Sequence, residues 1–226
     1  MKRARLPLFV VFMLATASLA AHASSTILLN FAGLKDLEPV SNFYNGGSGG
    51  FGSMSPNNFG ITFSSNALAI KSYLKGGSGG FVLPPTGTPA LFFNSGTSGY
   101  LNVASGFSTG INFFYAAGAQ GTVTVWSGAN GTGSVLATIT LGVNSGITNG
   151  CSGFPSYCNW TAVGLTFSGT GKSVTFSGPA NQIGVTDITL GSSRTGVPEP
   201  SSLLLFGTGL VIFSSSQVRR LFRRAS

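Results

Sequence analysis

From Thr26 onward, apolar residues recur in short alternating runs broken by Gly, Ser, Asn and Pro, and no stretch carries the spacing of an amphipathic helix. Ile27, Leu29 and Phe31 alternate in the first run, and residues 59–63, 90–93 and 100–103 are further short candidates. Between residues 107 and 115 the odd positions Phe107, Thr109, Ile111, Phe113 and Tyr115 form a stripe at period two, which predicts one strand with a single buried face. Residues 122–127 and 135–141 flank a Gly-rich link with Asn130-Gly131 in its turn, the pattern of a β-hairpin. Residues 160–167, 172–176 and 182–190 complete the series. About ten strands at this spacing predict an all-β chain folded as an antiparallel β-sandwich or jelly roll.

The last run contains a phase change. Ile183 and Val185 share one parity, whereas Ile188 and Leu190 share the other. A strand switches its buried face only through an extra residue, so a bulge is expected near Thr186-Asp187. Asp187 is one of three carboxylates between Ser24 and Gly196; the others, Asp36 and Glu38, follow the first strand. If the first and last strands lie side by side, these carboxylates could meet over a structural Ca²⁺ ion, with carbonyl oxygens completing its shell. The alternative has Asp187 bonded to loop amides and the other two solvated. No other cofactor is expected.

Residues 46–51 and 76–81 both read GGSGGF, but their flanks differ and the motif does not return, so they are expected to be flexible loops rather than a solenoid repeat. Cys151 and Cys158, the only cysteines, bracket a short loop. In an exported chain such a pair is most simply a disulfide; neither the spacing nor a neighbouring base suits a redox centre.

The two ends of the chain read differently from the body. Lys2, Arg3 and Arg5 precede an apolar run from Leu6 to Leu19, and Ala21-His22-Ala23 supplies small residues for cleavage. Residues 1–23 are therefore expected to be a secretory signal peptide, with a cut after Ala20 as the alternative to one after Ala23. At the other end, Val197-Pro198-Glu199-Pro200 is followed by an uncharged, mostly apolar run over residues 201–218 and by Arg219, Arg220, Arg223 and Arg224. As a helix those 18 residues reach about 27 Å, close to the thickness of a hydrocarbon core. Arginines at its far end favour a transmembrane helix with a cytoplasmic tail over a buried terminal helix.

This tripartite tail, residues 196–226, resembles the PEP-CTERM sorting signal of Gram-negative bacteria, also called the ice-binding protein C-terminal domain. The resemblance implies export through the secretion translocon and transient anchoring in the inner membrane. Processing near the motif by a membrane-embedded exosortase would follow, with delivery to the cell surface or an exopolysaccharide matrix. It covers only the tail. The hairpin GTVTVWSGANGTGSVLATITL and the closing IGVTDITL are loosely similar to domains that commonly precede this signal, which assigns no activity.

Charge and composition then narrow the function classes. The formal net charge is +8, but seven of the basic residues named above lie in the two end segments. The body, residues 24–195, holds Lys35, Lys71, Lys75, Lys172 and Arg194 against its three acids, so it is nearly neutral and a nucleic-acid partner is not expected. Cleavage would also remove His22, the only histidine, leaving no Ser-His-Asp or Cys-His centre and no His-ligated metal site. A glycosidase would need two opposed carboxylates from a set of three. The chain is thus read as a non-enzymatic surface or matrix protein, associated with exopolysaccharide. A carbohydrate-binding module is the alternative, with Trp126, Trp160, Tyr44, Tyr73 and Tyr100 as stacking candidates, most of them expected in the core. Ice binding would require a flat array of threonines, of which Thr122-Val-Thr124 and Thr138-Ile-Thr140 supply fragments, not a face.

Overall fold

The computed structural model describes residues 26–194; the signal peptide and the sorting tail expected above lie outside them. Twelve strands form: β1 (Ile27–Leu29), β2 (Glu38–Pro39), β3 (Ile61–Phe63), β4 (Ala67–Ile70), β5 (Ala90–Phe93), β6 (Ser98–Phe107), β7 (Gly110–Ala117), β8 (Gly121–Trp126), β9 (Val135–Leu141), β10 (Thr161–Thr166), β11 (Gly171–Ser177) and β12 (Ile183–Leu190). Two single-turn 3₁₀ helices, Tyr73–Lys75 and Ile147–Asn149, are the only helical segments among the described residues. No helix there is long and apolar enough to cross a membrane.

The strands pair antiparallel into two sheets. One has seven strands in the order β10-β7-β12-β5-β4-β2, with β1 added beside β12; the other has five, in the order β3-β6-β11-β8-β9. Alternation decides which side chains enter the space between them. From the first sheet come Leu91, Phe93, Ile111, Phe113, Val185 and Ile188, and from the second Leu101, Val103, Val123, Val125, Val174 and Phe176, all buried. Phe113 and Phe176 meet across this core with ring centroids 6.0 Å apart and planes at 80°, the edge-to-face geometry that aromatic quadrupoles favour. The irregular segment after β1 adds Phe31, Leu34, Val40, Phe43 and Tyr44, all buried, so non-strand chain also contributes to the core.

Three details of the pattern are resolved by the fold. The bulge expected in the last strand is present: register on β7 shifts between Thr186 and Thr189, and Asp187 takes a positive φ of 52°. Asn130 and Gly131 both have positive φ (55° and 69°) within the β8–β9 hairpin, as a primed turn requires. The stripe over residues 107–115, however, is not one strand. It breaks at Ser108-Thr109, where Thr109 has φ 76°, and the chain passes from β6 in one sheet to β7 in the other. Both sheets face the same core, so the parity survives the corner and hides it. A strand not among those expected, β4 over residues 67–70, pairs over its whole length with β5.

Candidate functional site

The three carboxylates have separate jobs. Glu38 is fully buried; its Oε2 accepts from Lys35 N (2.7 Å) and Ser53 Oγ (2.6 Å), and its Oε1 from Phe51 N (2.9 Å) and Ser53 N (3.0 Å). Burial by itself raises the pKa of such a carboxyl, but the Ser53 hydroxyl and the three amides outweigh it and hold Glu38 below the usual carboxylate range. Asp36 accepts from Lys71 N (2.7 Å) and Ser78 N (2.9 Å). Asp187 lies elsewhere, with Thr86 Oγ1 at 2.9 and 2.8 Å from its two oxygens. Burial pushes the Asp187 carboxyl up, partly offset by that hydroxyl.

The calcium expectation is corrected by this placement: Asp36, Glu38 and Asp187 do not converge, and no group of three potential metal-ligating side chains occurs among the described residues. The first and last strands do lie side by side, Ile27 opposite Leu190. The carboxylates nevertheless turn to separate partners: Asp187, at the bulge of β12, to Thr86, and Asp36 and Glu38 to loop amides. The expected alternative was also inverted. Asp36 and Glu38 hold loop amides, whereas Asp187 holds a hydroxyl.

Those bonds recast the two GGSGGF segments. The first is drawn onto Glu38 and the second onto Asp36, so two residues of like charge, two apart in sequence, secure both loops. The glycines permit the close approach. A Cβ on Gly49 would stand 2.5 Å from Glu38 Oε1, and one on Gly79 would stand 2.8 Å from the Lys71 carbonyl and collide with the Phe81 ring. Expected to be flexible links, these loops are hydrogen-bonded structure.

The second loop walls a cleft on the outer face of the seven-stranded sheet, open to solvent. Its floor is small where three strands adjoin: Ala90 of β5, Ala116 of β7 and Gly184 of β12, with Gly184 opposite Ala116 in the ladder. Phe81, Trp160 and Tyr157 form the walls. Trp160 is held by Nε1 donating to Val82 O (3.0 Å) and by edge contact with Phe81 at 5.6 Å. Tyr157 bridges in parallel to Phe81, and its hydroxyl donates to Asn181 O (3.0 Å). Burial raises the Tyr157 phenol. The disulfide Cys151–Cys158, with Cα atoms 5.5 Å apart, closes the loop that carries Phe154 and Tyr157 to this wall. Phe154 in turn packs on Tyr73 at 4.6 Å.

The outer face of the five-stranded sheet is built differently. Register places three rows across its strands. Ser98, Ser177, Thr122 and Thr140 make one row; Tyr100, Thr175, Thr124 and Thr138 make the next; Thr62, Asn102, Ser173, Trp126 and Val135 make the third. The threonine fragments seen in the sequence are therefore joined into a face, because β11 inserts Thr175 and Ser177 beside β8. Of the aromatic candidates, Trp126 and Tyr100 lie here, Trp160 lines the cleft, Tyr73 sits on its 3₁₀ turn, and only Tyr44 is core. Tyr44 Oη accepts from Phe31 N (2.7 Å). Burial pushes its phenol up to about 12, against the pull of the Phe31 and Asn30 amides and with a further rise from the charge of Asp187.

A scan against family models matches residues 196–220 to the PEP-CTERM protein-sorting motif. The chain thus carries a PEP-CTERM protein-sorting motif, which marks an exosortase substrate for export and transient anchoring in a membrane. No curated protein matches it in sequence. Among solved structures, it is similar to a family 29 carbohydrate-binding module complexed with mannohexaose, at 10% identity over 78% of this chain and 99% of that one, TM-score 0.40. It is also similar to a family 6 carbohydrate-binding module, at 15% identity over 57% and 86% of the two chains, TM-score 0.37. A third, in complex with cellobiose and from Clostridium stercorarium, gives 18% identity over 57% and 85%, TM-score 0.36. Superpositions this loose carry no ligand or site across.

Proposed function

We propose that this is a non-enzymatic cell-surface or extracellular-matrix protein of a Gram-negative bacterium, associated with exopolysaccharide. In this reading residues 1–23 are a signal peptide used by the secretion translocon, residues 24–195 the β-sandwich that is delivered, and residues 196–226 the address. Within the address, Val197-Pro198-Glu199-Pro200 is the motif the exosortase reads, residues 201–218 hold the chain in the inner membrane, and Arg219, Arg220, Arg223 and Arg224 stay in the cytoplasm. The single observation that carries the reading is the sorting motif at residues 196–220, following a sandwich whose last strand ends at Leu190. The engagement of all three body carboxylates in holding loops supports a role without catalysis. Replacing Pro198, Glu199 and Pro200 together by alanine is the test. The protein should then accumulate in the inner-membrane fraction; release equal to that of the parent would reject processing at the motif.

A second reading, a carbohydrate-binding module, is favoured by the cleft itself. Trp160 and Phe81 flank a floor of Ala and Gly that leaves room for a sugar ring, and Asn181 and Ser78 add polar groups at its margin. A glycan array probed with the exported protein and with its Trp160→Ala variant tests it. Specific signals lost in the variant support the reading, and a blank array rejects it.

A further inference from the structure

We propose that the outer face of the five-stranded sheet is a second interaction surface, separate from the Trp160 cleft, and that it lies against an extended, uncharged polysaccharide. Delivery to a polymer-bearing surface is taken from the function proposed above; the recognition is argued from the face. Its thirteen outward positions hold nine Ser and Thr residues, the buried Ser173 among them, with one Asn, one Tyr, one Trp and, at the edge beside Trp126, the exposed Val135; none is charged. Thr138 and Thr140 are exposed, and Thr122, Thr124, Trp126 and Thr175 are half-buried, so the face is open to solvent.

Charge selects the occupant. An anionic polymer would need cations, and the one lysine at this margin, Lys172, is turned to the Ala104 carbonyl at 2.9 Å. A lipid surface or an obligate second copy would need an apolar centre, which the rows lack. A hydroxyl both donates and accepts, so Ser and Thr side chains match the hydroxyls of a neutral sugar without burying an unpaired charge. Adjacent strands are about 4.8 Å apart, and residues on one face recur about every 6.8 Å along a strand. A chain laid across β6, β11, β8 and β9 along either of the first two rows therefore meets a hydroxyl at each strand. Trp126 adds a fixed platform for stacking: its Nε1 donates to Thr175 Oγ1 at 2.9 Å, which holds the indole over the neighbouring strand. Asn102 is tied to Asn130 by two bonds, Nδ2 donating to Oδ1 and Oδ1 accepting from Asn130 N, each 2.7 Å, so that corner is ordered as well.

The test is affinity electrophoresis of the exported protein in native gels containing hydroxyethylcellulose, a galactomannan, or alginate as the anionic control. Retardation in a neutral gel and none in alginate is expected. Thr124→Lys and Ser177→Lys, each checked for an unchanged melting temperature, should weaken retardation about tenfold, as removal of a central contact does. Should either fail to fold, Thr140→Lys on the edge strand β9 serves, since that position is exposed. Trp160→Ala separates this surface from the cleft: it should leave retardation unchanged. Four results would overturn the proposal: no retardation in either neutral gel, stronger retardation in alginate, loss of retardation on Trp160→Ala but not on the lysine variants, or ice shaping without retardation. None of these outcomes depends on how the tail is processed, so the sorting reading stands or falls separately.

Discussion

The hydroxyl of Ser53 donates to Glu38 Oε2 at 2.6 Å while the amide of the same residue donates to Oε1 at 3.0 Å, so one serine grips both oxygens of a fully buried carboxylate. With Lys35 and Phe51 added, Glu38 organises the chain from residue 35 to residue 53 around one charge. Replacing it by Gln keeps the shape but turns an NH₂ toward amide donors. Glu38→Gln is expected to cost about 3 kcal/mol, since bonds to a charged acceptor are the strong ones and a buried donor left unpaired carries its full desolvation cost. Urea denaturation at neutral pH measures this; a change below about 0.5 kcal/mol would contradict the burial.

The pH dependence of that contribution has a definite sign. Glu38 titrates lower in the folded protein than in the unfolded chain, so its stabilisation is present above the unfolded value and is lost as pH falls through the folded one. Unfolding midpoints recorded from neutral pH to about pH 3 should fall less steeply for Glu38→Gln than for the parent. Parallel curves would mean that the carboxylate is not held as described.

Asp187 should behave in the opposite sense. Its carboxyl is raised by burial, so its contribution is fully present below the unfolded value and is lost as pH rises through the folded one. Asn tolerates the left-handed backbone found there and keeps an acceptor for Thr86. Asp187→Asn is therefore expected to be at least as stable as the parent at neutral pH and to lose that advantage on acidification. Thermal melts at two pH values distinguish this from a structural charge, for which the variant would be weaker at neutral pH.

Opening the disulfide should act on the cleft more than on the sandwich. Cys151 and Cys158 close a loop with a sequence separation of 7, worth about 2–3 kcal/mol on the chain-entropy model. Reduction should lower the melting temperature and raise the fluorescence change of Trp160 relative to Trp126, because only Trp160 leans on the segment that the bond restrains. Thiol titration of the unreduced exported protein must find no free thiol; two would contradict the bond.

The glycines of the two GGSGGF loops offer a direct check on their packing. Gly49→Ala and Gly79→Ala should each destabilise by about 1–3 kcal/mol, since the added methyl meets a carboxylate or a carbonyl and a ring. Gly52→Ala is the control for crowding: nothing lies within 4 Å of its added Cβ, and its φ of 84° is the only strain. Gly49 and Gly79 do not take the left-handed backbone of Gly52, so an unchanged stability at either would contradict the close approach.

Much of the architecture was legible in the chain because strand chemistry is local. Alternation with period two marks the buried face of a strand regardless of what lies beside it, so the bulge at Asp187 could be read from parity, and the hairpin from parity together with its Asn130-Gly131 turn. The sorting motif was legible for a similar reason, since its residues are contiguous. Which strand lies beside which is not local. Thr122 and Thr124 became part of a face only when β11 placed Ser177 and Thr175 next to them. Ala90, Ala116 and Gly184 became a cleft floor only when three distant strands adjoined. Asp36 and Glu38 looked like solvated charges until loops 42 and 15 residues away folded back to give them amides. The sequence by itself determined the periodicities and the address; the pairing of distant segments, set by how both sheets bury one shared core, decided what each outward side chain meets.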